Sequence, residues 1–322
     1  MTLWAVTGAT GFVGRHLVER LLEDRVGVRT LVRRVEPGSG REVEQAEVSL
    51  GDRDALGEAL DGCDVLVHLA APRRPADGGH RPGDRELLVR GAENLLLAAL
   101  DAGVDRCVFA SSTSVFGPAW STVDERSTVA PATPYARARL EGDRRVARLA
   151  RESGAEVVIV RMSEIFGPGS NAHPGLMRAV ARGDMRVVGS GRQPHQLLEV
   201  RDGVRALVSA GRTAVDRPDT VLVVSGPGNT FREWIESLGR ALGAEVAFTP
   251  ALDRPARWAL RWLARIPGAE VLPRYRQVDY HVRPRSYDVT RSIAALGVYH
   301  RSPFDAAVAD MVDAHRREVG LG

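Results

Sequence analysis

The chain has 322 residues, of which 44% are hydrophobic and 26% charged, so it can form a full core and is too apolar to be a disordered protein. No apolar run is long enough to span a bilayer, and the first residues lead directly into a strand-like run, so we expect a cytoplasmic protein without a signal peptide. The two cysteines, Cys63 and Cys107, lie in or beside apolar runs, so we expect buried thiols rather than a disulfide or a metal site. The net charge of +3 comes from scattered arginines without a nucleic-acid motif, so we expect no nucleic-acid partner.

Strand-like apolar runs alternate with amphipathic helical patterns through residue 166. The strand-like runs cover residues 3–7, 28–32, 65–69, 107–110 and 157–160. The helical patterns cover residues 11–22, 54–60, 85–102 and 134–153. This alternation predicts an α/β fold with a doubly wound parallel sheet of the Rossmann type, which binds its ligands at the carboxyl ends of the strands.

The regular alternation ends near Gly167, after which proline and glycine are frequent and the elements are short. We therefore predict a dinucleotide-binding domain over residues 1–166. Residues 167–322 are predicted to form mainly a smaller, mixed substrate-binding lobe, with some segments returning to the main sheet. Within this lobe, residues 254–265 form a basic amphipathic helix that carries Trp258 and Trp262. Those tryptophans can cover a hydrophobic substrate or touch a membrane surface, but we expect them to pack against the lobe core.

A glycine-rich turn follows the first predicted strand and begins the first predicted helix. Gly8 permits a tight turn, Gly11 lets a pyrophosphate approach the backbone, and Gly14 lets helix and strand pack closely. The free N–H groups at the start of the helix then face the phosphates. The residues of this turn that we expect to bind a dinucleotide are Gly8, Thr10, Gly11, Phe12, Val13 and Gly14.

The second predicted strand ends in Arg33 and Arg34. An acidic residue at this position accepts hydrogen bonds from the ribose of NAD and repels a 2′-phosphate, whereas a guanidinium attracts that phosphate. We therefore predict NADP rather than NAD; alternatively, both arginines are solvated surface charges. Asp52 lies where it can bind the adenine, although it can equally cap the helix that follows.

Several motifs follow one another in a fixed order along the chain. They are TGATGFVG at 7–14, GD at 51–52, HLAA at 68–71, GAENLL at 91–96, SSTSVFG at 111–117, PYARAR at 134–139, FGPG at 166–169 and YDVT at 287–290. In this order they resemble the extended short-chain dehydrogenase/reductases, also called the NAD-dependent epimerase/dehydratase family. The resemblance covers nearly the whole chain and identifies the family far better than any substrate.

The resemblance implies a hydride-transfer site made by a serine or threonine, a tyrosine and a lysine. Ser112 matches the hydroxyl that bonds to the reacting oxygen, and Tyr135 matches the proton donor, whose ordinary pKa near ~10 requires a nearby cation at neutral pH. Residue 139, where the family has lysine, is Arg139, one helical turn from Tyr135. The chain contains no lysine at all, so Arg139 is either a tolerated replacement or the mark of an altered site. Further cofactor contacts implied by the resemblance lie at Leu69, Ala70, Ala71, Ser111, Tyr135, Arg139, Met162 and Ser163.

The substrate side departs from the pattern of nucleotide-sugar enzymes, and we expect it to include Pro72. Ser114 stands where sugar dehydratases carry a carboxylate, Glu164 where nucleotide-sugar enzymes have asparagine, and His195 where many have an arginine for the phosphates. A carboxylate gained and a guanidinium lost both disfavour a diphosphate ligand. Compensation by other arginines stays open; the candidates are Arg192, Arg201, Arg283 and Arg285. Alternatively, Glu164 forms a salt bridge with a neighbouring arginine and His195 is an exposed loop residue.

Three functions are compatible with these residues. The favoured one is an NADP-dependent oxidoreductase that transfers hydride to or from a ketone or secondary alcohol of a non-nucleotide small molecule. The second is a nucleotide-sugar epimerase with tightly bound NAD, and the third is a dinucleotide-binding regulator or scaffold that has lost catalysis. The resemblance also implies a homodimer formed through the helices at 85–102 and 134–153.

Overall fold

A seven-stranded parallel sheet forms the centre of the protein, which we describe from a computed structural model covering residues 2–35, 43–72, 83–170, 173–214, 217–263, 273–297 and 302–318. The strand order is β10-β6-β5-β4-β1-β2-β3, and each neighbouring pair is parallel. The strands are β1 Leu3–Thr7, β2 Gly27–Val32, β3 Val43–Glu47, β4 Val65–His68, β5 Arg106–Ser112, β6 Glu156–Met162 and β10 Asp219–Val224. The order reverses between β1 and β4, which confirms the predicted doubly wound α/β fold.

Helices cover both faces of the sheet, which explains why its strands are continuous apolar runs rather than alternating ones. In β1, Trp4 and Val6 pack into the core on one face and Ala5 into the core on the other. The first face is covered by α1 Phe12–Glu23 and α7 Val200–Arg212. The second face is covered by α2 Arg53–Leu60, α4 Ala92–Asp101 and α5 Pro134–Ser153.

The predicted helix at 85–102 is divided in the structure. It comprises the short α3 Asp84–Glu86, a π-helical turn at Leu87–Gly91 and α4. Helix α5 packs closely against this π-helical turn at Gly142, where an added Cβ would lie 2.4 Å from the carbonyl oxygen of Leu88. A π-helical turn inside an α-helix widens the backbone locally and is often found beside functional sites.

The C-terminal half adds two small sheets and a second core. The small sheets pair β7 Ile165–Phe166 with β9 Leu198–Glu199, and β8 Arg186–Val188 with β11 Ala247–Thr249. The helices of this half, besides α7, are α6 Pro174–Ala181, α8 Phe231–Leu242, α9 Asp253–Leu263, α10 Pro273–Val282, α11 Thr290–Leu296 and α12 Phe304–Glu318. Their core includes Trp234, but the expectation that Trp258 and Trp262 pack there is wrong, because these side chains are 72% and 52% exposed.

Both thiols are buried and free, as the sequence predicts. Burial raises the pKa of Cys107 to about 12, and it also raises the pKa of Cys63. Burial of this kind disfavours the thiolate form of both cysteines. Within the described residues, no helix is both long and apolar enough to cross a membrane.

Candidate active site

The glycine turn connects β1 to α1 and packs against the segment that follows β4. The Gly11 N–H donates to the Gly8 carbonyl at 2.9 Å, and Gly8 adopts a φ of +69°. A Cβ on Gly8 would lie 2.7 Å from the Ala70 nitrogen, and one on Gly14 would lie 2.1 Å from the Gly8 oxygen. Glycine is therefore required at both positions. No side chain caps the start of α1 at Gly11, so its first N–H groups suit a pyrophosphate.

The other residues expected to bind the cofactor follow the ends of neighbouring strands. Arg33 and Arg34 are exposed directly after β2. Asp52 caps α2, because its Oδ1 accepts a hydrogen bond from the Ala55 N–H at 3.1 Å. The segment after β4 contains Leu69, Ala70, Ala71 and Pro72. At the end of β6, Met162 packs in the core and Ser163 accepts a hydrogen bond from Ser225 at 2.8 Å.

The residues expected to act on the substrate lie at the end of β5 and the start of α5. Ser112 ends β5, and its Oγ accepts from the Ser114 N–H at 3.1 Å. Tyr135 is the second residue of α5, and Arg139 lies one turn further along. The Arg139 Nη1 donates to the Ala110 carbonyl of β5 at 3.0 Å, and its Nη2 lies 3.5 Å from the Tyr135 hydroxyl. The structure thus brings a fixed cation to the phenol.

Arg139 is a buried cation, only 8% exposed. Burial opposes its charge, but Tyr135 and Asp143 outweigh this effect and hold the pKa of the guanidinium above its ordinary value. Among the described residues, no group accepts a hydrogen bond from its Nε. A donor without a partner in a buried position costs free energy, so it fits a site in which a ligand supplies the acceptor.

His68 is a residue of this site that the sequence analysis did not select. It ends β4, is 1% exposed, and places its Nδ1 2.8 Å from the Thr7 hydroxyl. That hydroxyl already accepts hydrogen bonds from the Leu69 and Ala70 N–H groups at 3.2 Å. We therefore assign the Thr7 hydroxyl as the donor to Nδ1 and place the proton of the imidazole ring on Nε2. Burial and then the charge of Arg139 lower the pKa of His68 to about 3, so the ring is neutral.

Asp143 is the second residue that the sequence analysis missed. Its Oδ2 accepts from the Ser111 hydroxyl at 2.9 Å and from the Arg161 Nε at 3.1 Å, and both charged side chains are almost fully buried. The pair ties α5 to β5 and β6 and so supports the position of Arg139. The sequence contains a pattern that indicates Asp143, because residues 135, 139 and 143 follow one another at four-residue intervals and so share one face of the helix.

Glu164 and His195 lie on the predicted substrate side, but in different surroundings from those expected. The Glu164 carboxylate lies 3.5 Å from the His173 Nε2, and no arginine of the described residues bridges to it as the alternative proposed. His195 is completely buried, with its ring against Phe231 and Tyr280, so the alternative of an exposed loop histidine is also wrong. Burial, followed by the charge of Arg285, lowers the pKa of His195 far below its ordinary value.

Three of the four arginines proposed to hold a diphosphate lie beside carboxylates. Arg201 contacts Glu199 and Asp310, each at 2.9 Å. Arg283 forms an ion pair with Asp279, and the Arg285 Nη2 lies 3.9 Å from the same carboxylate. Arg192 is exposed. Arg201 is thus neutralised within the protein, and Arg283 and Arg285 share the one carboxylate of Asp279; this pairing disfavours their use as a diphosphate clamp.

Comparisons with known proteins agree with this geometry. The model of the NAD dependent epimerase/dehydratase family matches residues 4–224. A UDP-glucose 4-epimerase of Vibrio cholerae is 31% identical over 74% of this chain and 75% of its own. A ceramide reductase of Caulobacter vibrioides is also 31% identical, over 75% of this chain and 71% of its own. The solved structure of MoeE5 in complex with UDP-glucose and NAD is 26% identical, with a TM-score of 0.75 over 98% of this chain and 99% of that one.

Proposed function

The chain belongs to the NAD dependent epimerase/dehydratase family, which consists of NAD(P)-dependent enzymes. We propose that it is an NADP-dependent enzyme that reduces a ketone. Its substrate is a non-nucleotide small molecule, and the reverse reaction oxidises the corresponding secondary alcohol. One observation supports the proposal: the Arg139 Nη2 lies 3.5 Å from the Tyr135 hydroxyl, while the arginines proposed for a diphosphate, apart from Arg192, lie beside carboxylates.

The proposed chemistry is assigned to three side chains. When bound, the reduced nicotinamide supplies a hydride to the carbonyl carbon. Tyr135 donates its phenolic proton to the carbonyl oxygen, and Ser112 donates a hydrogen bond to the same oxygen, so the ketone becomes a secondary alcohol. The positive charge of Arg139 stabilises the phenolate that remains. Because a guanidinium keeps its proton, the phenolate recovers a proton from water and not through residue 139.

The cofactor assignment uses the turn after β1 and the arginines after β2. The glycine turn and the start of α1 would hold the pyrophosphate, and Arg33 and Arg34 would pair with a 2′-phosphate. Arg139 would use its unpaired Nε toward the nicotinamide half, where the family uses lysine. The remaining proposed contacts are Thr10, Phe12, Val13, Asp52, Leu69, Ala70, Ala71, Ser111, Met162 and Ser163.

The substrate assignment rests on charge. The Glu164 side chain is 32% exposed, and its Oε1 lies 3.5 Å from the His173 Nε2. A carboxylate at this position would repel a diphosphate and accept a hydrogen bond from a hydroxyl or amino group. Pro72 and Ser114 complete the proposed substrate side, with His195 buried behind it. Similarity to a ceramide reductase supports a lipophilic substrate.

We also propose a homodimer through α4 and α5. In one chain these helices already pack side by side, with Arg145 and Arg148 reaching Glu93. Sedimentation of the protein alone tests this, and a monomer at all concentrations would contradict it.

Titration of the purified protein with NADPH and NADH, followed by nicotinamide fluorescence, tests the cofactor assignment. We expect tighter binding of NADPH, and a fall of roughly tenfold to a hundredfold in its affinity for Arg33→Asp, because a charge-assisted hydrogen bond contributes about 1.5–3 kcal/mol. Arg182→Asp, at an exposed residue after α6, is the control and should bind normally. Preference for NADH, or an equal loss in both variants, would overturn the NADP assignment.

The second candidate is a nucleotide-sugar epimerase. It is favoured by the similarity to UDP-glucose 4-epimerase and to MoeE5, whose structure contains NAD and UDP-glucose. NAD that stays bound through purification, together with interconversion of a UDP-sugar, would select this function over ketone reduction. Dinucleotide binding without turnover of any ketone, alcohol or nucleotide sugar would instead indicate the regulator or scaffold.

A further inference from the structure

Helix α9 carries large apolar side chains on the outside of the protein. Trp258 is 72% exposed and Trp262 is 52% exposed, while Leu252, just before the helix, is 45% exposed. Buried tryptophans elsewhere in the chain, such as Trp4 and Trp234, are at most 2% exposed. A pair of exposed indoles four residues apart forms a contiguous apolar patch, and such patches mark surfaces that contact a partner.

Arginines share this face of α9. Residues 254, 258, 261 and 262 lie on one side of a helix, and all four are exposed. In the part of the chain that the structure describes, Arg254, Arg257 and Arg261 form no ion pair with a carboxylate; Arg257 and Arg261 instead lie 5.7 Å and 4.7 Å from the centre of the Trp120 ring. The face therefore combines indole rings with positive charge that is not neutralised.

We propose that α9 docks the protein on the surface of a membrane that contains anionic lipids. Indole rings have a polar N–H on an apolar body and favour the boundary between headgroups and acyl chains. Arginines on the same face would pair with lipid phosphates, each contributing to attraction by an anionic surface. The helix would lie in the plane of the interface, because its 11 residues are too few to span the bilayer.

The inner side of α9 packs against the rest of the protein. Ala256 and Leu263 pack with Trp120 and Val282, and Trp120 lies just beyond the 3-10 turn Thr113–Phe116 that follows Ser112. A docked helix would bring this region close to the bilayer, from which a lipophilic ketone can enter. That route of entry rests on the proposed function, whereas docking itself rests only on α9.

Flotation of the full chain with vesicles tests the docking. We expect binding to vesicles of phosphatidylcholine and phosphatidylglycerol in equal parts, weak binding to phosphatidylcholine alone, and a loss of binding as sodium chloride is raised. The double variant Trp258→Ser/Trp262→Ser and the double variant Arg254→Gln/Arg261→Gln should each reduce the partition coefficient by about tenfold or more.

A matched control removes two arginines elsewhere, the exposed Arg240 and the half-buried Arg316. Arg240→Gln/Arg316→Gln, on α8 and α12, should bind vesicles within about twofold of the unaltered chain. All variants should keep the same dinucleotide affinity, which verifies their fold. No binding of the unaltered chain to any vesicle, or equal losses in the control, would overturn the proposal.

The same variants also distinguish docking on a membrane from contact between two copies of the protein at this face. Loss of a dimer in Trp258→Ser/Trp262→Ser, without vesicle binding by the unaltered chain, would assign the face to a second copy of the protein. Vesicle binding requires no turnover, so absence of reductase activity would contradict the proposed function and leave the docking result intact.

Discussion

The glycine turn after β1 and the cluster around Arg139 are built in opposite ways. The turn consists of backbone atoms, and it excludes even a single added carbon at Gly8, against the backbone after β4, and at Gly14, against Gly8. The cluster consists of side chains from β4, β5 and α5, held by long-range contacts such as Ser111 to Asp143. One half of the site is therefore sensitive to added atoms, and the other to removed ones.

This difference predicts different consequences of substitution. An added carbon in the turn must push backbone against backbone, so folding and cofactor binding suffer together. Removal of one polar atom from the cluster leaves the packing intact, so chemistry suffers while the fold remains.

Tyr135→Phe should give the largest effect. It removes only the hydroxyl oxygen, so we expect turnover of a reducible ketone to fall by about 10²–10⁴-fold, the usual contribution of a general acid. The urea midpoint should stay unchanged, and dinucleotide affinity should fall far less than turnover. Single-turnover kinetics with NADPH measure the effect, and a variant with full activity would remove Tyr135 from the mechanism.

Gly14→Ala should give the next largest effect. The new Cβ would meet the Gly8 oxygen at 2.1 Å, so we expect a loss of about 1–3 kcal/mol of stability and a clear loss of dinucleotide binding. Gly57→Ala in α2 is the matched control, because its Cβ meets nothing within 4 Å and should stabilise the helix by about 0.4–1 kcal/mol. Urea unfolding measures both, and equal behaviour of the two variants would show that the turn tolerates side chains.

The dependence of stability on pH should come from His68, in the cluster around Arg139, and from His281, at the end of α10 outside the site. Burial lowers the pKa of His68 to about 3 and that of His281 to about 4, so the native protein binds fewer protons than the unfolded chain. Stability is then complete above the unfolded pKa of 6.5 and falls as the pH drops below it, by up to about 1.4 kcal/mol per pH unit for each histidine.

Urea unfolding across this acid range, repeated with His68→Gln, separates the two contributions. The variant should lose part of the slope, because one histidine no longer titrates on unfolding. An unchanged slope would mean that His68 is already protonated in the folded protein.

Local patterns predicted the main sheet well. The strand at 3–7 and the helix at 134–153 have the predicted bounds, since one is a continuous apolar run and the other begins at Pro134 and ends before Gly154. Strand β3 was not predicted, because Val43–Glu47 is a half-exposed segment at the edge of the sheet with little apolar character.

The side-chain half of the site was predicted less completely. Ser112, Tyr135 and Arg139 follow from the family resemblance, but the approach of His68 to Arg139 depends on how β4 and α5 pack. The contact between Glu164 and His173 likewise depends on where α6 begins after β7. Such contacts form between segments whose relative position no local pattern specifies.

Strand β10 has a consequence for synthesis of the chain. It is made after β7 and α7, yet it pairs with β6 along its full length, from Val157 opposite Asp219 to Met162 opposite Val224. Until residue 224 has left the ribosome, which takes on the order of seconds at usual rates of translation, the apolar edge of β6 is open to other strands. A nascent chain stalled or truncated near residue 166 should therefore aggregate and depend on chaperones, although it already contains the whole glycine turn and the Tyr135–Arg139 pair.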